Sequence, residues 1–180
     1  DYIDRFAGLL EALRVFPKPV IAVLNGVTLA GGLELAMCCD LVVAADTARI
    51  GDAHANYGVF PGGGGAAVLP TQVPRNVARY LLFTGGTMSA AQLHALGFVN
   101  EVHPADTLDQ AAQTLAERIA EKSPLALSRM KSVANRVDDC GPTAALNHEQ
   151  VLFRQHQRSW DMNEGLTAFT EKRKPTFRGI

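Results

Sequence analysis

The sequence predicts an α/β protein whose last third is entirely helical. Two apolar runs rich in β-branched residues, 20–26 and 41–46, flank a segment of good helix formers, and this strand, helix, strand order predicts a parallel crossover. From residue 106 onward only helical patterns follow. A chain of 180 residues can bury one sizeable core, with or without an appended lobe.

Local signals predict the elements of the first half in order. Apolar residues at helical spacing indicate a first helix, which Pro17 and Pro19 end, and Ser89 and Gly97 bound a short helix further on. The predicted elements are a helix over 3–13, a strand over 20–26, a helix over 30–39, a strand over 41–46, one or two helices over 66–83, a helix over 89–97 and a strand over 98–102.

Four helices are predicted in the last third. The first covers 106–122, and the second follows Ser123 as N-cap with Pro124 at its first position. A third follows Pro142, and a fourth covers about 163–172. The change of pattern divides the chain into an α/β region, 1–104, and a helical region, 105–180.

Composition argues against several classes of partner. Charged residues make up 19% and the formal net charge is −1, so no basic excess is present to neutralise nucleic-acid phosphates. No apolar run reaches membrane-spanning length, and the five histidines show no metal-ligand spacing. Three cysteines without a CxxC pair indicate reduced thiols. We expect a cytoplasmic protein with no metal, no nucleic-acid partner and no membrane association.

The glycines invite a dinucleotide-binding interpretation, which the spacing does not support. "NGVTLAGG" follows a strand and opens a helix, but Thr28 stands where the fingerprint requires its second glycine. "PGGGG", at 61–65, lacks the GK[ST] of a phosphate loop.

Gly31 and Gly32 instead suggest an oxyanion-binding site. They stand at a predicted helix start, where unpaired N–H groups and the helix dipole favour negative charge. Glu34 falls in the first helical turn, so a carboxylate base and an oxyanion site would share one pocket. The competing interpretation is that Glu34 only complements the dipole of its own helix.

His54 lies among small residues in "RIGDAHANYGVFPGGGG". A lone loop histidine is often a surface or structural residue, yet imidazole can donate or accept a proton near neutral pH. Asp52 would orient the ring if the stretch were extended, because residues two apart then face one side.

Ordered motifs resemble the enoyl-CoA hydratase/isomerase, or crotonase, family. The resemblance covers "KPVIAVLNGVTLAGGLELAMCCDLVVAADTARIG", "GVFPGGGGAAVLP", "LLFTGGTMSAAQLHALGFVNEV" and "EGLTAFTEKRKPTFRG", in order over nearly the whole chain. It implies a core of repeated ββα units wound into a spiral and a helical C-terminal region used in trimerisation, often as a dimer of trimers, that is, a hexamer.

The resemblance also implies roles for particular residues. Gly31 N–H would polarise the acyl-CoA thioester oxygen, and Glu34 would activate water for attack at C3 of a trans-2-enoyl-CoA. His54 stands where hydratases carry a second catalytic glutamate, 20 residues after Glu34. Phe169 and Lys172 would contact the adenine and phosphates of CoA, in this family often the CoA bound to a neighbouring subunit, although the basic "EKRK" stretch is also typical of a solvated helix end.

These roles predict an acyl-CoA-processing enzyme of fatty acid metabolism, a hydro-lyase that hydrates or dehydrates an enoyl-CoA. It would need no cofactor beyond the CoA of its substrate. Because His54 replaces a glutamate, the alternatives are an enoyl-CoA isomerase, another lyase or hydrolase acting through the same enolate, or a non-catalytic acyl-CoA-binding homologue. Family members begin with further βα units that supply a second oxyanion donor and much of the acyl pocket, so we expect this chain to be part of a longer protein.

Overall fold

Two small sheets organise the first part of the chain in the computed structural model, which describes residues 1–180. The strands are β1 (Ile21–Leu24), β2 (Val27–Leu29), β3 (Leu41–Ala45), β4 (Arg49–Gly51), β5 (Met88–Ser89) and β6 (Glu101–His103). The helices are α1 (Tyr2–Arg14), α2 (Gly31–Met37), α3 (Leu69–Gln72), α4 (Arg75–Thr84), α5 (Ala90–Ala95), α6 (Leu108–Ala120), α7 (Pro124–Cys140), α8 (Pro142–His156) and α9 (Trp160–Glu171).

The first sheet contains the predicted parallel crossover. Its strand order is β1-β3-β6, all parallel, with Ile21 opposite Leu41 and Val43 opposite Glu101. β3 is buried along most of its length, as expected for the central strand of a parallel sheet. The chain runs from β1 to β3 through β2 and α2, so the predicted parallel strands and the helix between them are confirmed, with one additional short strand.

The second sheet was not predicted from the sequence. β4 pairs in parallel with β2 and antiparallel with β5, in the order β2-β4-β5. These strands have three, three and two residues, which is too short for an alternating pattern to show. Their pairing brings the end of β2, where α2 begins, beside the end of β4.

Two of the differences from the predicted element boundaries have a clear physical cause. The predicted strand 98–102 is shifted to β6, because Phe98 and Val99 are buried and bond back to Leu93 at the end of α5. Helix α9 begins at Trp160, three residues before the predicted start, because the Ser159 side chain accepts a hydrogen bond from Met162 N–H and caps it.

The chain forms two compact units, residues 1–14 with 20–114, and residues 15–19 with 115–180. The core of the first unit is aliphatic, and its fully buried members include Leu33, Val43, Ile50, Leu69, Leu81 and Leu93. None of the helices combines the length and apolar character that crossing a membrane requires. None of the three cysteines forms a disulfide: Cys38 and Cys39 are half-buried and Cys140 is exposed.

Helices dominate the second unit, where α7 packs on α8. Pro124 occupies the first turn of α7 and the Ser123 side chain caps it, as predicted. A buried carboxylate, Asp161, holds the C-terminal residues, since it accepts hydrogen bonds from the N–H groups of Arg178 and Gly179. The guanidinium of Arg178 also lies 4.0 Å from the ring centre of Trp160.

Candidate active site

Glu34 is a buried carboxylate in the first turn of α2. Its residue is 2% exposed, and its Oε1 accepts hydrogen bonds from Gly63 N–H at 2.7 Å and Gly65 N–H at 3.0 Å. The N-terminus of α2 has no side-chain cap. The carboxylate therefore contacts the loop of consecutive glycines at 62–65, which we call the glycine loop. The capping interpretation required it to contact the N–H groups of its own helix.

The second oxygen of Glu34 remains available. Both hydrogen bonds to the carboxylate use Oε1, and no fully buried side-chain oxygen or nitrogen lacks a partner. Oε2 therefore reaches accessible space. One oxygen fixes the side chain, and the other is free to exchange a proton.

Gly31 is the first residue of α2, at a backbone with unusual geometry. Ala30, before it, has a φ of 49°, in the left-handed half of the map that residues with a Cβ seldom adopt. Ala30 N–H donates to the Asp52 carbonyl at 2.8 Å, and the hydrogen bond from Glu34 N–H to the Ala30 carbonyl, at 3.0 Å, opens the helical ladder. The N–H of Gly31 thus precedes the helical ladder, as an oxyanion donor must.

His54 is paired with Asp52. The ring Nδ1 lies 3.0 Å from Asp52 Oδ2, and His54 N–H donates to Oδ1 at 3.2 Å. The side chains are 11% and 1% exposed, respectively. The structure therefore brings the two residues together, but the extended geometry considered in the sequence analysis is wrong. Ala53 has a φ of 61°, and His54 begins a 3₁₀ turn that continues to Tyr57, so an aspartate turn makes the contact.

Gly65 links the two carboxylates. Its N–H donates to Glu34, and a Cβ at this position would lie 2.5 Å from Asp52 Oδ2 and 2.9 Å from Pro61 Cβ. At Gly63 a Cβ would lie 2.7 Å from Glu34 Oε2. Glycine is required at both positions because the loop backbone passes against the carboxylates. Sequence analysis missed these two partners of Glu34, since a backbone N–H group carries no residue-type signal.

Phe169 and Lys172 lie at the exposed C-terminal end of α9. The Phe169 side chain is 85% exposed, and Lys172, with a φ of 55°, ends the helix. The neighbouring cations are paired: Arg173 binds Glu164 and Glu171, and Lys174 Nζ lies 2.8 Å from Glu121. Arg173 and Lys174 are therefore in ion pairs, whereas the alternative interpretation of this basic stretch expected them to be solvated only.

No cluster of three or more His, Cys, Asp and Glu side chains is arranged to hold a metal ion. The two candidates for proton transfer have different partners. Glu34 accepts hydrogen bonds from Gly63 and Gly65, and the His54 ring contacts Asp52. Their arrangement suits proton transfer to and from a bound organic substrate.

Comparison with known proteins identifies the family. The family model described as enoyl-CoA hydratase/isomerase matches residues 1–179. The chain belongs to the enoyl-CoA hydratase/isomerase family. The predicted crotonase fold is confirmed by a crystal structure of an enoyl-CoA hydratase from Polaromonas sp. JS666, with a TM-score of 0.94 and 34% identity over 98% of this chain and 68% of that one.

Two curated members of this family have names that specify a reaction. The 2,3-dehydroadipyl-CoA hydratase of Escherichia coli K12 is 37% identical over 98% of this chain and 69% of its own length. The crotonyl-CoA hydratase of Syntrophomonas wolfei is 38% identical over 94% of this chain and 64% of its own length. The chain thus spans about two thirds of the length of these curated relatives.

Proposed function

We propose that the protein hydrates an enoyl-CoA thioester, or dehydrates the corresponding 3-hydroxyacyl-CoA. The observation that carries this proposal is the geometry of Glu34, a buried carboxylate held through Oε1 by Gly63 and Gly65 with Oε2 left free. A base fixed at one oxygen can take a proton from water without losing its orientation. The names of the two hydratase relatives agree with this reaction.

In the proposed reaction, Gly31 N–H donates to the thioester oxygen and stabilises the negative charge that develops there when C2 and C3 react. Its position ahead of the helical ladder of α2 supports this role. Water adds its oxygen to C3 while its proton passes to Glu34 Oε2. His54 supplies the proton to C2. In this scheme Gly31 acts through its N–H, Glu34 through Oε2 and His54 through its ring.

Turnover with crotonyl-CoA tests the proposal, followed as loss of the absorbance of the conjugated thioester by the protein expressed with its natural ends. Glu34→Gln should lower kcat about 10²-fold to 10⁴-fold, because the amide cannot accept the proton of water. Glu149→Gln, the same change at an exposed glutamate of α8, should leave kcat within about twofold of wild type. Full activity of Glu34→Gln would overturn the proposal.

A substrate panel separates the alternatives. Conversion of a 3-enoyl-CoA without hydration would indicate an isomerase, and release of free CoA thiol would indicate a hydrolase. Binding of CoA esters without turnover of any of them would indicate a non-catalytic homologue. We expect hydration to be fastest, because it uses both proton-handling groups, Glu34 for water and His54 for C2, whereas an isomerase would use Glu34 alone.

We further propose that Phe169 and Lys172 bind the CoA moiety, the ring by stacking on adenine and the ammonium by contacting phosphate. The exposed ring and the ion pairing of the adjacent Arg173 and Lys174 support this assignment, since Lys172 is left for a ligand. Lys172→Ala should raise KM about threefold to tenfold with little change in kcat. Lys174→Ala is the matched control, and an equal effect of both would count against the assignment.

The resemblance to the family also supports a cytoplasmic homotrimer or dimer of trimers. Light scattering on the purified protein measures its mass. A monomer at micromolar concentration would contradict the proposed assembly.

A further inference from the structure

Asp52 is a buried carboxylate that the proposed reaction does not yet use. It is 1% exposed, and both of its oxygens contact His54, Oδ1 through the backbone N–H and Oδ2 through the ring Nδ1. The remaining side-chain heteroatom of His54, Nε2, has no partner in the chain and is accessible, because no fully buried side-chain nitrogen is unpartnered.

The contact determines which ring nitrogen carries hydrogen. A carboxylate accepts hydrogen bonds and donates none, so Nδ1 at 3.0 Å from Oδ2 is the donor. Neutral His54 therefore has its lone pair on Nε2, the accessible nitrogen. When Nε2 also carries a proton, Nδ1 keeps its hydrogen bond to Asp52 Oδ2, so the ring stays in place during the transfer.

We infer that Asp52 is a positioning residue, which fixes the ring and tautomer of His54 so that Nε2 exchanges the C2 proton of the substrate. This inference rests on the proposed function. It replaces the second carboxylic acid of the hydratase pattern by an aspartate–histidine couple. Glu34 and His54 then share one design, in which one heteroatom is held by the protein and the other faces the substrate.

The proton balance of the couple follows directly. In hydration the water oxygen bonds to C3 and its proton goes to Glu34, while the C2=C3 π electrons take the proton of imidazolium Nε2–H to form the C2–H bond. His54 ends neutral and Glu34 ends protonated. Transfer of one proton from Glu34 to His54 through solvent restores the starting state, so the net reaction adds one water.

Two measurements test the couple. Nitrogen-15 spectra of the labelled protein, taken where His54 is neutral and assigned with His54→Gln, should show hydrogen on Nδ1. Asp52→Asn should lower kcat about 10²-fold or more with KM within about twofold. It should also shift the His54 tautomer, because an amide NH₂ donates to Nδ1. The control Asp106→Asn, at an exposed aspartate, should change neither.

A double-mutant cycle separates positioning from a structural role. If Asp52 acts through His54, Asp52→Asn should have little further effect on kcat in the His54→Gln background. An equal effect in both backgrounds, or hydrogen on Nε2 in the unmutated protein, would overturn the inference. The tautomer measurement does not depend on the folding of Asp52→Asn, because it uses the unmutated protein and, for assignment, His54→Gln. Absence of turnover by the unmutated protein would overturn the proposed function, whereas turnover with an indifferent Asp52→Asn would overturn this inference alone.

Discussion

Two buried carboxylates, Asp161 in the helical unit and Glu34 in the α/β unit, differ in how many of their oxygens accept hydrogen bonds. Asp161, in the helical unit, uses both oxygens: Oδ1 accepts from the N–H groups of Arg178 and Gly179, and Oδ2 accepts from the Ser123 hydroxyl at 2.5 Å and again from Gly179. It has no oxygen left for a ligand. Its contacts connect α7, α9 and the C-terminal residues.

Glu34, in the α/β unit, is equally buried but uses one oxygen only. Burial alone therefore does not distinguish a structural carboxylate such as Asp161 from the proposed base, Glu34. Saturation of hydrogen-bonding capacity does, because a fully bonded oxygen has no lone pair to offer a substrate. The comparison agrees with a structural role for Asp161 and with the proposed role of Glu34 as the base.

The largest expected effect is at the loop that holds Glu34. Gly65→Ala would place a Cβ 2.5 Å from Asp52 Oδ2 and 2.9 Å from the rigid Pro61 ring, so the loop must move and the N–H bond to Glu34 is lost. We expect kcat for enoyl-CoA hydration to fall about 10²-fold or more. Gly62→Ala is the control, since its Cβ would meet only Ile3 Cδ1, at 3.4 Å. Equal activity of the two variants would show that the loop does not position Glu34.

Isosteric amides at the two carboxylates should act on different properties. Asp161→Asn places an NH₂ group against donors, so it should lower the free energy of unfolding by about 2–3 kcal/mol. Glu34→Gln keeps an oxygen for Gly63 and Gly65, and we expect a change below about 1 kcal/mol. Urea unfolding of both variants measures the difference. Comparable destabilisation would remove the distinction drawn from hydrogen-bond saturation.

Part of the contribution of Asp161 to the free energy of unfolding should depend on pH. Burial raises the pKa of Asp161, but hydrogen bonds from Ser123, Arg178 and Gly179 outweigh it and hold the pKa below the ordinary value. A carboxyl with a lowered pKa contributes stability that is complete above its unfolded value, about 3.9, and is lost as the pH falls through the folded value. The unfolding free energies of wild type and Asp161→Asn should therefore converge below about pH 4.

Glu164 titrates in the same range and must not be mistaken for Asp161. The hydrogen bond from Arg173 lowers the pKa of Glu164 to about 2. Because Glu164 and Arg173 are present in both proteins, their contribution largely cancels in the difference between the two curves. A difference that stays constant from pH 5 to pH 2 would contradict the assignment to Asp161.

The sequence predicted the position of Glu34 in the fold better than it predicted the partners of its carboxylate. Glu34 could be placed beside a helix start because Gly31 and Gly32 mark that start, and the order of β1, α2 and β3 follows from apolar runs of adequate length. The hydrogen bonds to Glu34 come from backbone groups 29 and 31 residues away, which no side-chain pattern reveals.

The Asp52–His54 contact shows a second limit of sequence analysis. The spacing suggested that the residues face each other, but on an extended chain. The actual turn depends on Ala53 in a left-handed conformation, which glycine or asparagine would have indicated and alanine does not. The strands β2 and β4 that enclose the site were missed for a similar reason, because three residues show no period.

The smallest expected effect extends the comparison from carboxylates to hydroxyls. Ser89 caps α5 from a half-exposed position in the α/β unit, whereas Ser159 caps α9 from a buried one. The Ser159 hydroxyl accepts from Met162 N–H at 3.1 Å and donates to the His156 carbonyl at 2.7 Å. The Ser89 hydroxyl likewise accepts from Gln92 N–H and donates to Gln92 Oε1, both at 3.2 Å, so the two caps differ in burial and not in the number of hydrogen bonds. Water can replace the lost cap at Ser89 more easily than at Ser159.

Ser89→Ala should therefore lower the free energy of unfolding by about 0.5–1 kcal/mol and Ser159→Ala by about 1–2 kcal/mol, measured in urea. Ser89→Asp serves as control, because an aspartate restores the acceptor for Gln92 N–H. A larger cost at Ser89 than at Ser159 would mean that burial does not set the cost of removing a polar group here. The loss of stability expected for Asp161→Asn depends on the same relation, because it too comes from leaving buried polar groups without a partner.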